Sequence, residues 1–178
     1  MADALAKRWE LKPARKERFR GRLAEGRAGG VPGETGGVPG ENAPPRVALL
    51  WPQTFMNDAG RSVGPARGSF KLPLERVLIV HDEIDLPFGE VRTRLGGGLA
   101  GHNGLKSIKA ELGGTEFMRV RIGVGRPSST DPEIVSGYVL GRWRQPKADV
   151  AELIERGVAA VERVLEGVLE GELEGERE

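Results

Sequence analysis

The run Val77-Leu78-Ile79-Val80 constrains the fold of this chain more than any other feature of its sequence. An uninterrupted apolar run of this kind fits a strand covered on both faces, which is typical of parallel or mixed sheets. We predict this strand within residues 74–80. Other strand patterns, at residues 47–51, 90–95 and 117–124, alternate with helical patterns along the chain. This alternation predicts an α/β layer architecture.

Helical periodicity marks residues 2–11, 103–112 and 145–169. In the last stretch, apolar residues recur at spacings of three and four, as on the buried face of an amphipathic helix. They are Val150, Leu153, Val158, Val161, Val164, Leu165 and Val168. A fourth helix is expected to start at Asn57 or Asp58, although Gly64 and Pro65 weaken its pattern.

The length of 178 residues suits one compact domain, so we expect residues 1–178 to form a single α/β domain. Residues 26–45 are rich in Gly and Pro and contain the sequence Gly-Gly-Val-Pro-Gly-Glu twice, at 29–34 and 36–41. Such a segment lacks apolar side chains for packing, so we predict a flexible loop there. Residues 170–178 are predicted to be a disordered acidic tail.

Composition excludes several classes of protein. The chain has no cysteine, which excludes disulfides and thiolate metal sites. Its two histidines, His81 and His102, leave little for a histidine-based metal site. No apolar run approaches the ~20 residues that span a bilayer, and residues 1–9 do not have the pattern of a signal peptide. We therefore expect a cytoplasmic protein that does not associate with membranes.

The formal net charge of +1 hides an uneven distribution of charge. The tail after Leu165 is rich in glutamate, whereas an early and a middle stretch are basic. The cations are Lys12, Arg15, Lys16, Arg18, Arg20, Arg22 and Arg27, then Arg92, Arg94, Lys106, Lys109, Arg119, Arg121 and Arg126. This asymmetry permits a polyanionic partner on one face, and ordinary solvated surface charge is the alternative. Because basic and apolar residues alternate in 117–124, that strand is predicted to have one solvent-facing side.

Three polar stretches each follow a predicted strand or open a predicted helix, at residues 52–57, 81–87 and 96–105. Open α/β sheets bind ligands in the crevice beyond the strand ends, so these stretches are the candidates for a site. The third stretch also satisfies the Gly-x-Gly-x-x-Gly pattern of dinucleotide-binding loops. That interpretation needs an acidic residue at the end of the next strand, which instead ends in Gly123-Val124-Gly125-Arg126-Pro127. A nucleotide cofactor is therefore disfavoured.

Asp82 lies two residues after the apolar run, at the end of the predicted strand. A carboxylate in this position can hold an imidazole in one tautomer and stabilise its charged form; a helix-cap or turn aspartate is the alternative. His81 is an unsuitable partner for Asp82 because neighbouring strand residues point to opposite faces. Asp85, which precedes Leu86 and Pro87, fits a turn.

Asn57 and Asn103 lie at predicted helix starts, where an amide can cap the helix or bind a ligand. Phe55 and Met56 are residue types that usually belong to the core, but an exposed aromatic beside an amide also forms a platform for a nucleobase or sugar. His102, in the glycine-rich loop, is either simply exposed or a hydrogen-bond donor to substrate.

Four stretches resemble, in order and spacing, signature sequences of the bacterial peptidyl-tRNA hydrolase family. They are Pro52-Gln53-Thr54-Phe55-Met56-Asn57, His81-Asp82-Glu83-Ile84-Asp85-Leu86-Pro87, Gly101-His102-Asn103-Gly104-Leu105-Lys106-Ser107-Ile108 and Phe117-Met118-Arg119-Val120-Arg121-Ile122-Gly123-Val124-Gly125-Arg126-Pro127. The likeness extends from about Val47 to Leu169.

The resemblance implies a three-layer fold with a central mixed, mostly parallel sheet flanked by helices. It implies an enzyme that cleaves the ester between a peptide and the 3′ ribose of tRNA, as a monomer without metal, organic cofactor or obligate protein partner. In this family a histidine activates water, and Asp82 matches the aspartate that orients it. Residues matching those that contact the tRNA 3′ end, the peptide or the crevice are Phe55, Met56, Asn57, His102 and Asn103. Arg94 and Arg121 match a basic pair that grips acceptor-stem phosphate.

The chain departs from the family pattern in lacking the motifs Gly-Asn-Pro-Gly and Thr-Arg-His-Asn, which supply the catalytic histidine. A misplaced start codon is the favoured explanation, and a truncated homologue is the other. Either way, we expect this chain to hydrolyse peptidyl-tRNA poorly, since loss of a general base costs ~10²–10⁴ in rate. A non-catalytic RNA-binding homologue is the alternative function.

Overall fold

The computed structural model describes residues 1–29 and 44–170, without the side chains of 168–170. Its helices are α1 (Ala2–Arg8), α2 (Gly60–Phe70), α3 (Asn103–Leu112), α4 (Pro132–Val139) and α5 (Lys147–Glu170). Its strands are β1 (Gly21–Arg27), β2 (Arg46–Pro52), β3 (Leu78–Glu83), β4 (Val91–Leu95) and β5 (Met118–Gly123). Short 3-10 helices occupy Met56–Asp58 and Leu74–Arg76. None of the helices in this described part is long and apolar enough to cross a membrane.

The strands form two sheets in the described part of the chain. One has the order β3-β5-β4, with β3 parallel and β4 antiparallel to β5. The other is the antiparallel hairpin of β1 and β2. The α/β class and the mixed sheet are therefore confirmed, but the described strand pairs are not mostly parallel, because only the β3–β5 pair is.

The chain divides into two compact units. One contains Ala2–Val77 and Gly97–Glu116, and the other contains Met1, Leu78–Gly96 and Phe117–Glu178. The predicted loop is wrong for its first residues, because Gly26 and Arg27 belong to β1 and the Ala28 amide donates to the Pro45 carbonyl over 3.0 Å. The rest of that loop, 30–43, and nearly all of the predicted acidic tail lie outside the described residues.

The first unit buries one face of the β1–β2 hairpin and the interface of two helices. Leu5 of α1, Trp9 just after it and Leu23 of β1 are almost fully buried. Helix α2 packs against α3, whose Leu105 and Ile108 are also buried. The helices meet closely at Gly60, whose amide donates to the Ser107 hydroxyl over 3.0 Å.

The second unit has its core between β5 and α5. Phe117 and Val120 of the β5 segment are fully buried, and so is Val158 of α5. Gly157 permits this contact, because a β-carbon there would lie 3.0 Å from Cδ1 of Ile122. The three- and four-residue spacing of apolar residues in α5 thus corresponds to its buried face.

Two sequence predictions about this unit were wrong, and one helix was missed. β5 has no solvent-facing side at Arg119, which is only 2% exposed. β3 is not covered on both faces, because Leu78, Ile79 and Val80 remain half-exposed in a strand whose hydrogen-bonded neighbour in the described sheet is β5 alone. Helix α4 was not predicted, although Asp131 caps it by accepting from the Glu133 amide over 2.8 Å, followed by Pro132.

Candidate active site

Phe55 directly precedes the 3-10 turn Met56–Asp58, which follows β2 after a short loop. Pro52 ends the strand, and the Asp58 amide donates to the Phe55 carbonyl over 2.9 Å. The Phe55 side chain is 83% exposed and Met56 is 40% exposed. The interpretation of these two residues as core is therefore wrong, and an exposed aromatic beside an exposed amide remains.

Neither Asn57 nor Asn103 caps a helix. The N-cap of α2 is Ala59, which makes no side-chain capping bond. The N-cap of α3 is His102, whose Nδ1 accepts a hydrogen bond from the Leu105 amide over 3.3 Å. Asn103 instead accepts from Lys106 Nζ at 3.4 Å. The capping interpretation is therefore wrong for both amides, which strengthens the case for a ligand-binding role.

The side chains of His102 and Met56 both lie against Gly104. A β-carbon at Gly104 would lie 3.0 Å from His102 Cε1 and 3.1 Å from Met56 Cγ, closer than most side chains tolerate. The glycine thus lets the turn after β2 approach the start of α3. Because Nδ1 of His102 accepts the capping bond, the neutral ring carries its proton on Nε2 and can donate there.

Asp82 lies near the carboxyl end of β3, beside a cavity of about 150 Å³. The segment after β5 supplies the opposite lining, which includes Tyr138, Arg142 and Trp143. Tyr138 donates a 2.6 Å hydrogen bond to the Val124 carbonyl and so ties this segment to the end of β5. These lining residues were not predicted from the sequence, although the Asp131-Pro132 start signal of α4 could have indicated them.

His81 and Asp82 lie on opposite faces of β3, as predicted. His81 pairs with Arg121 and Asp82 with Ile122 in the register of β3 and β5, and successive strand residues alternate in direction. His81 is buried, and its Nδ1 is 2.7 Å from the Asp82 carbonyl oxygen. Asp85, expected to be a turn residue, forms an exposed ion pair with Arg126, whose Nε is 3.2 Å from Oδ1.

A cluster of arginines occupies the face of the β3-β5-β4 sheet opposite the one that carries Asp82. The register of β4 and β5 pairs Arg94 with Arg119 and Arg92 with Arg121, which places all four on one face. We call them the arginine cluster. Arg121 lies 3.1 Å from Glu83, a carboxylate that is itself buried, and Arg92 lies 2.8 Å from Glu90.

Arg119 is the buried centre of this cluster, and its sequence pattern did not distinguish it from the other cations. Its guanidinium donates to the Gly96 carbonyl. Burial first, and then the charges of Arg121 and Arg94, lower the pKa of Arg119, whereas Glu83 opposes them. The cations around Arg119 therefore outweigh the nearby carboxylate, and an anionic ligand at this face would relieve their mutual repulsion.

The fold and these side chains define an α/β protein with polar loops after its strands, an aspartate at a strand end and a basic sheet face. Within the described residues, no group of three or more His, Cys, Asp or Glu side chains could hold a metal ion.

Comparison with known proteins identifies the family. The peptidyl-tRNA hydrolase family model matches residues 1–174. A peptidyl-tRNA hydrolase of Gloeobacter violaceus is 40% identical over 164 residues, covering 92% of this chain and 75% of that protein. One of Methylocella silvestris is 50% identical over 115 residues, covering 65% of this chain and 57% of that protein. The crystal structure of the Acinetobacter baumannii peptidyl-tRNA hydrolase matches with a TM-score of 0.75 and 31% identity, over 97% of this chain and 80% of that one.

The chain belongs to the peptidyl-tRNA hydrolase family, as the sequence resemblance indicated. It spans between 57% and 75% of the length of the two curated relatives described above.

Proposed function

We propose that this chain acts on peptidyl-tRNA, hydrolysing the ester between the peptide and the 3′ ribose and so returning tRNA from aborted translation. The observation that carries the proposal is the family match over residues 1–174. The proposal includes action in the cytoplasm, where translation releases such substrates, as a monomer and without a cofactor or protein partner.

The reaction needs few catalytic groups from the protein, because the ester is already activated. A water molecule adds its oxygen to the carbonyl carbon and gives a proton to an imidazole, which the Thr-Arg-His-Asn motif would supply in the family pattern and which added free imidazole supplies in the assays below. The ribose 3′ oxygen then leaves with that proton as the carbonyl re-forms. In this proposal Asp82 orients the imidazole and stabilises its charged form. His81 does not serve as this imidazole, since it lies on the opposite face of β3.

The amides have a separate role in the proposal. Asn57 and Asn103 bind the peptide backbone of the substrate, which free aminoacyl-tRNA lacks. Support comes from their exposure and from the failure of the capping interpretation for both residues. Phe55 offers a stacking surface for the terminal base, and Met56 and His102 line the same part of the first unit.

Replacing both amides tests this role. Asn57→Ala combined with Asn103→Ala should lower the preference for peptidyl-tRNA over aminoacyl-tRNA about 10-fold or more, since each lost hydrogen bond costs roughly 0.5–1.5 kcal/mol. The measurement is the ratio of kcat/KM for acetylaminoacyl-tRNA to that for aminoacyl-tRNA. Assays contain imidazole, which can act as the base. Gln53→Ala, an exposed amide of the same loop, is the control. Unchanged selectivity in the double variant would remove this role.

The arginine cluster is proposed to bind acceptor-stem phosphate through Arg94 and Arg121. Arg94→Gln tests this more cleanly than a change at Arg121, which would leave buried Glu83 without its ion pair. We expect KM for peptidyl-tRNA to rise about 10-fold with kcat nearly unchanged, because a phosphate contact is charge-assisted. Arg126→Gln, which removes a cation paired with Asp85, should change KM little. Equal effects of the two substitutions would contradict the assignment.

A non-catalytic RNA-binding role is the alternative and predicts a different result for the same chain. The chain should then bind tRNA without hydrolysing peptidyl-tRNA at any imidazole concentration. The retention of Asp82 favours the enzyme, since a protein that only binds RNA has no need of this carboxylate.

A further inference from the structure

A strongly basic hairpin lies in the first unit, and the proposed reaction does not use it. Residues 12–22, which we call the basic hairpin, contain six cations and one acid, Glu17, in a chain whose formal net charge is only +1. The cations are Lys12, Arg15, Lys16, Arg18, Arg20 and Arg22. All six side chains are exposed.

The backbone of the basic hairpin is held firmly. The Ala14 amide donates to the Leu23 carbonyl over 2.7 Å, and Arg18 and Gly21 exchange two hydrogen bonds of 3.0 Å. The segment thus pairs with β1 through a two-residue turn. The carbonyl of Arg20 also accepts from the Gln53 amide over 2.9 Å, which fixes the turn to the residue after β2.

The two turn residues adopt a conformation that their side chains disfavour. Phe19 and Arg20 have φ angles of 55° and 53°, in the left-handed region that costs roughly 1–2 kcal/mol per residue. The Phe19 ring packs edge-on against Phe70 of α2, with ring centres 6.0 Å apart. The structure therefore holds Arg20 at the tip of a strained turn, which the flanking hydrogen bonds and the Phe19–Phe70 contact keep in place.

The six cations divide into two groups. Arg18 pairs with Glu25 at 3.0 Å, and Arg22 lies over the Trp51 ring at 5.3 Å. For the other four, Lys12, Arg15, Lys16 and Arg20, no ion pair with a described residue occurs in the structure. Four exposed cations on one hydrogen-bonded hairpin, none of them held in an ion pair with a described residue, form a surface that attracts phosphates.

We propose that the basic hairpin binds the phosphodiester backbone of RNA, and specifically the body of the tRNA substrate, as a contact separate from the arginine cluster. The inference rests on the proposed function for the identity of the RNA. The cations themselves need only regularly spaced phosphates, which position an RNA without reading its sequence.

A tRNA fits this surface better than an anionic membrane does. Stable membrane association needs an apolar anchor beside a basic patch. The large hydrophobic side chains exposed in the described residues, Phe55, Met56, Leu72, Ile134, Leu140 and Trp143, all lie outside residues 12–22. Phe55 and Met56 follow Gln53, which contacts the hairpin turn, but they are assigned above to the 3′ end of the substrate. Phe19, the aromatic residue of the hairpin, packs on Phe70 instead.

The test is tRNA binding by a full-length variant carrying Lys12→Gln, Arg15→Gln, Lys16→Gln and Arg20→Gln. Binding of deacylated tRNA is followed by fluorescence anisotropy between about 50 and 200 mM salt. We expect Kd to rise about 10- to 100-fold, and the slope of log K against log salt to become shallower by about three, as loss of four phosphate contacts requires.

Two matched variants test whether the position of the charges, rather than their number, determines tRNA binding. One removes four exposed cations elsewhere, with Arg76→Gln, Lys109→Gln, Lys147→Gln and Arg163→Gln, and should leave the salt slope nearly unchanged. The other exchanges Lys for Arg and Arg for Lys at the four hairpin positions and should bind as the unchanged chain does. Equal losses in the two neutralised variants would overturn the proposal, because net charge alone would then explain binding.

A short substrate separates this inference from the proposed reaction. Hydrolysis of a peptidyl ester of a short 3′ oligonucleotide should be unaffected by the hairpin substitutions, whereas hydrolysis of full peptidyl-tRNA should weaken through KM. If full tRNA binds both chains equally, the hairpin contact is refuted and the proposed activity stands. Binding to phosphatidylglycerol vesicles that the substitutions abolish, with tRNA affinity unchanged, would refute it in favour of a lipid surface.

Discussion

Asp82→Asn should lower the rate of peptidyl-tRNA hydrolysis by roughly 10²–10⁴-fold in buffer that contains imidazole. The amide is nearly the same size as the carboxylate, so the cavity of about 150 Å³ beside Asp82 should keep its shape. A neutral amide cannot stabilise the charged imidazolium, and it favours a different tautomer of the ring. A cavity of this size can hold one small ring. Single-turnover release of labelled peptide, followed against imidazole concentration, measures the effect.

Asp85→Asn is the matched control for this prediction. It removes a carboxylate three residues further along the same stretch, where the pair with Arg126 is exposed at the surface. An exposed pair of this kind contributes roughly 0–1 kcal/mol to stability, so the hydrolysis rate should stay within about threefold of the unchanged chain. Similar losses in both variants would mean that Asp82 has no special part in the reaction. Tight tRNA binding with no imidazole-dependent hydrolysis by the unchanged chain would favour a non-catalytic role.

The sequence predicted the elements whose pattern is local. Helix α3 begins and ends at the predicted residues, 103 and 112, because its apolar spacing and the glycine that follows both depend on near neighbours. Strand β5 was placed correctly, but its exposure was not. The alternation of Arg119 and Arg121 with apolar residues is the same in a solvent-facing strand and in one whose arginines are buried against Glu83 and backbone carbonyls.

The sequence proposed several residues for the site, and these assignments remain predictions, but it did not reveal the surroundings of those residues. Motif resemblance selected Asp82, Asn57 and Asn103. Whether the two amides cap their helices could not be decided from the sequence, because it depends on which residue occupies the N-cap position. His102 takes that position in α3, which a sequence pattern favouring Asn, Asp, Ser and Thr does not reveal. The lining of the Asp82 cavity by Tyr138 arises from a tertiary contact with the Val124 carbonyl, which local pattern cannot encode.

Gly60→Ala should lower the free energy of unfolding by about 1–3 kcal/mol and also impair hydrolysis in the protein that remains folded. A β-carbon at Gly60 would lie 2.2 Å from the Ser107 carbonyl oxygen and 2.6 Å from its carbon, and backbone atoms of α3 cannot move aside as a flexible side chain could. Helices α2 and α3 must therefore separate. The amide bond from Gly60 to the Ser107 hydroxyl, now 3.0 Å, would lengthen or break.

This separation affects function because Gly60 begins α2 directly after the Met56–Asp58 turn, whereas Ser107 lies one turn beyond Asn103. Moving the helices apart carries Asn57 away from Asn103, so selectivity for peptidyl-tRNA should fall together with Tm.

Gly68→Ala in the same helix is the control, since a β-carbon there meets nothing within 4 Å. That change should raise stability by about 0.5–1 kcal/mol through the better helix propensity of alanine, with selectivity unchanged. Thermal unfolding and the ratio of kcat/KM for the two substrates measure both effects. If the two glycine variants shift stability in the same direction, the close packing at Gly60 is not what positions the amides.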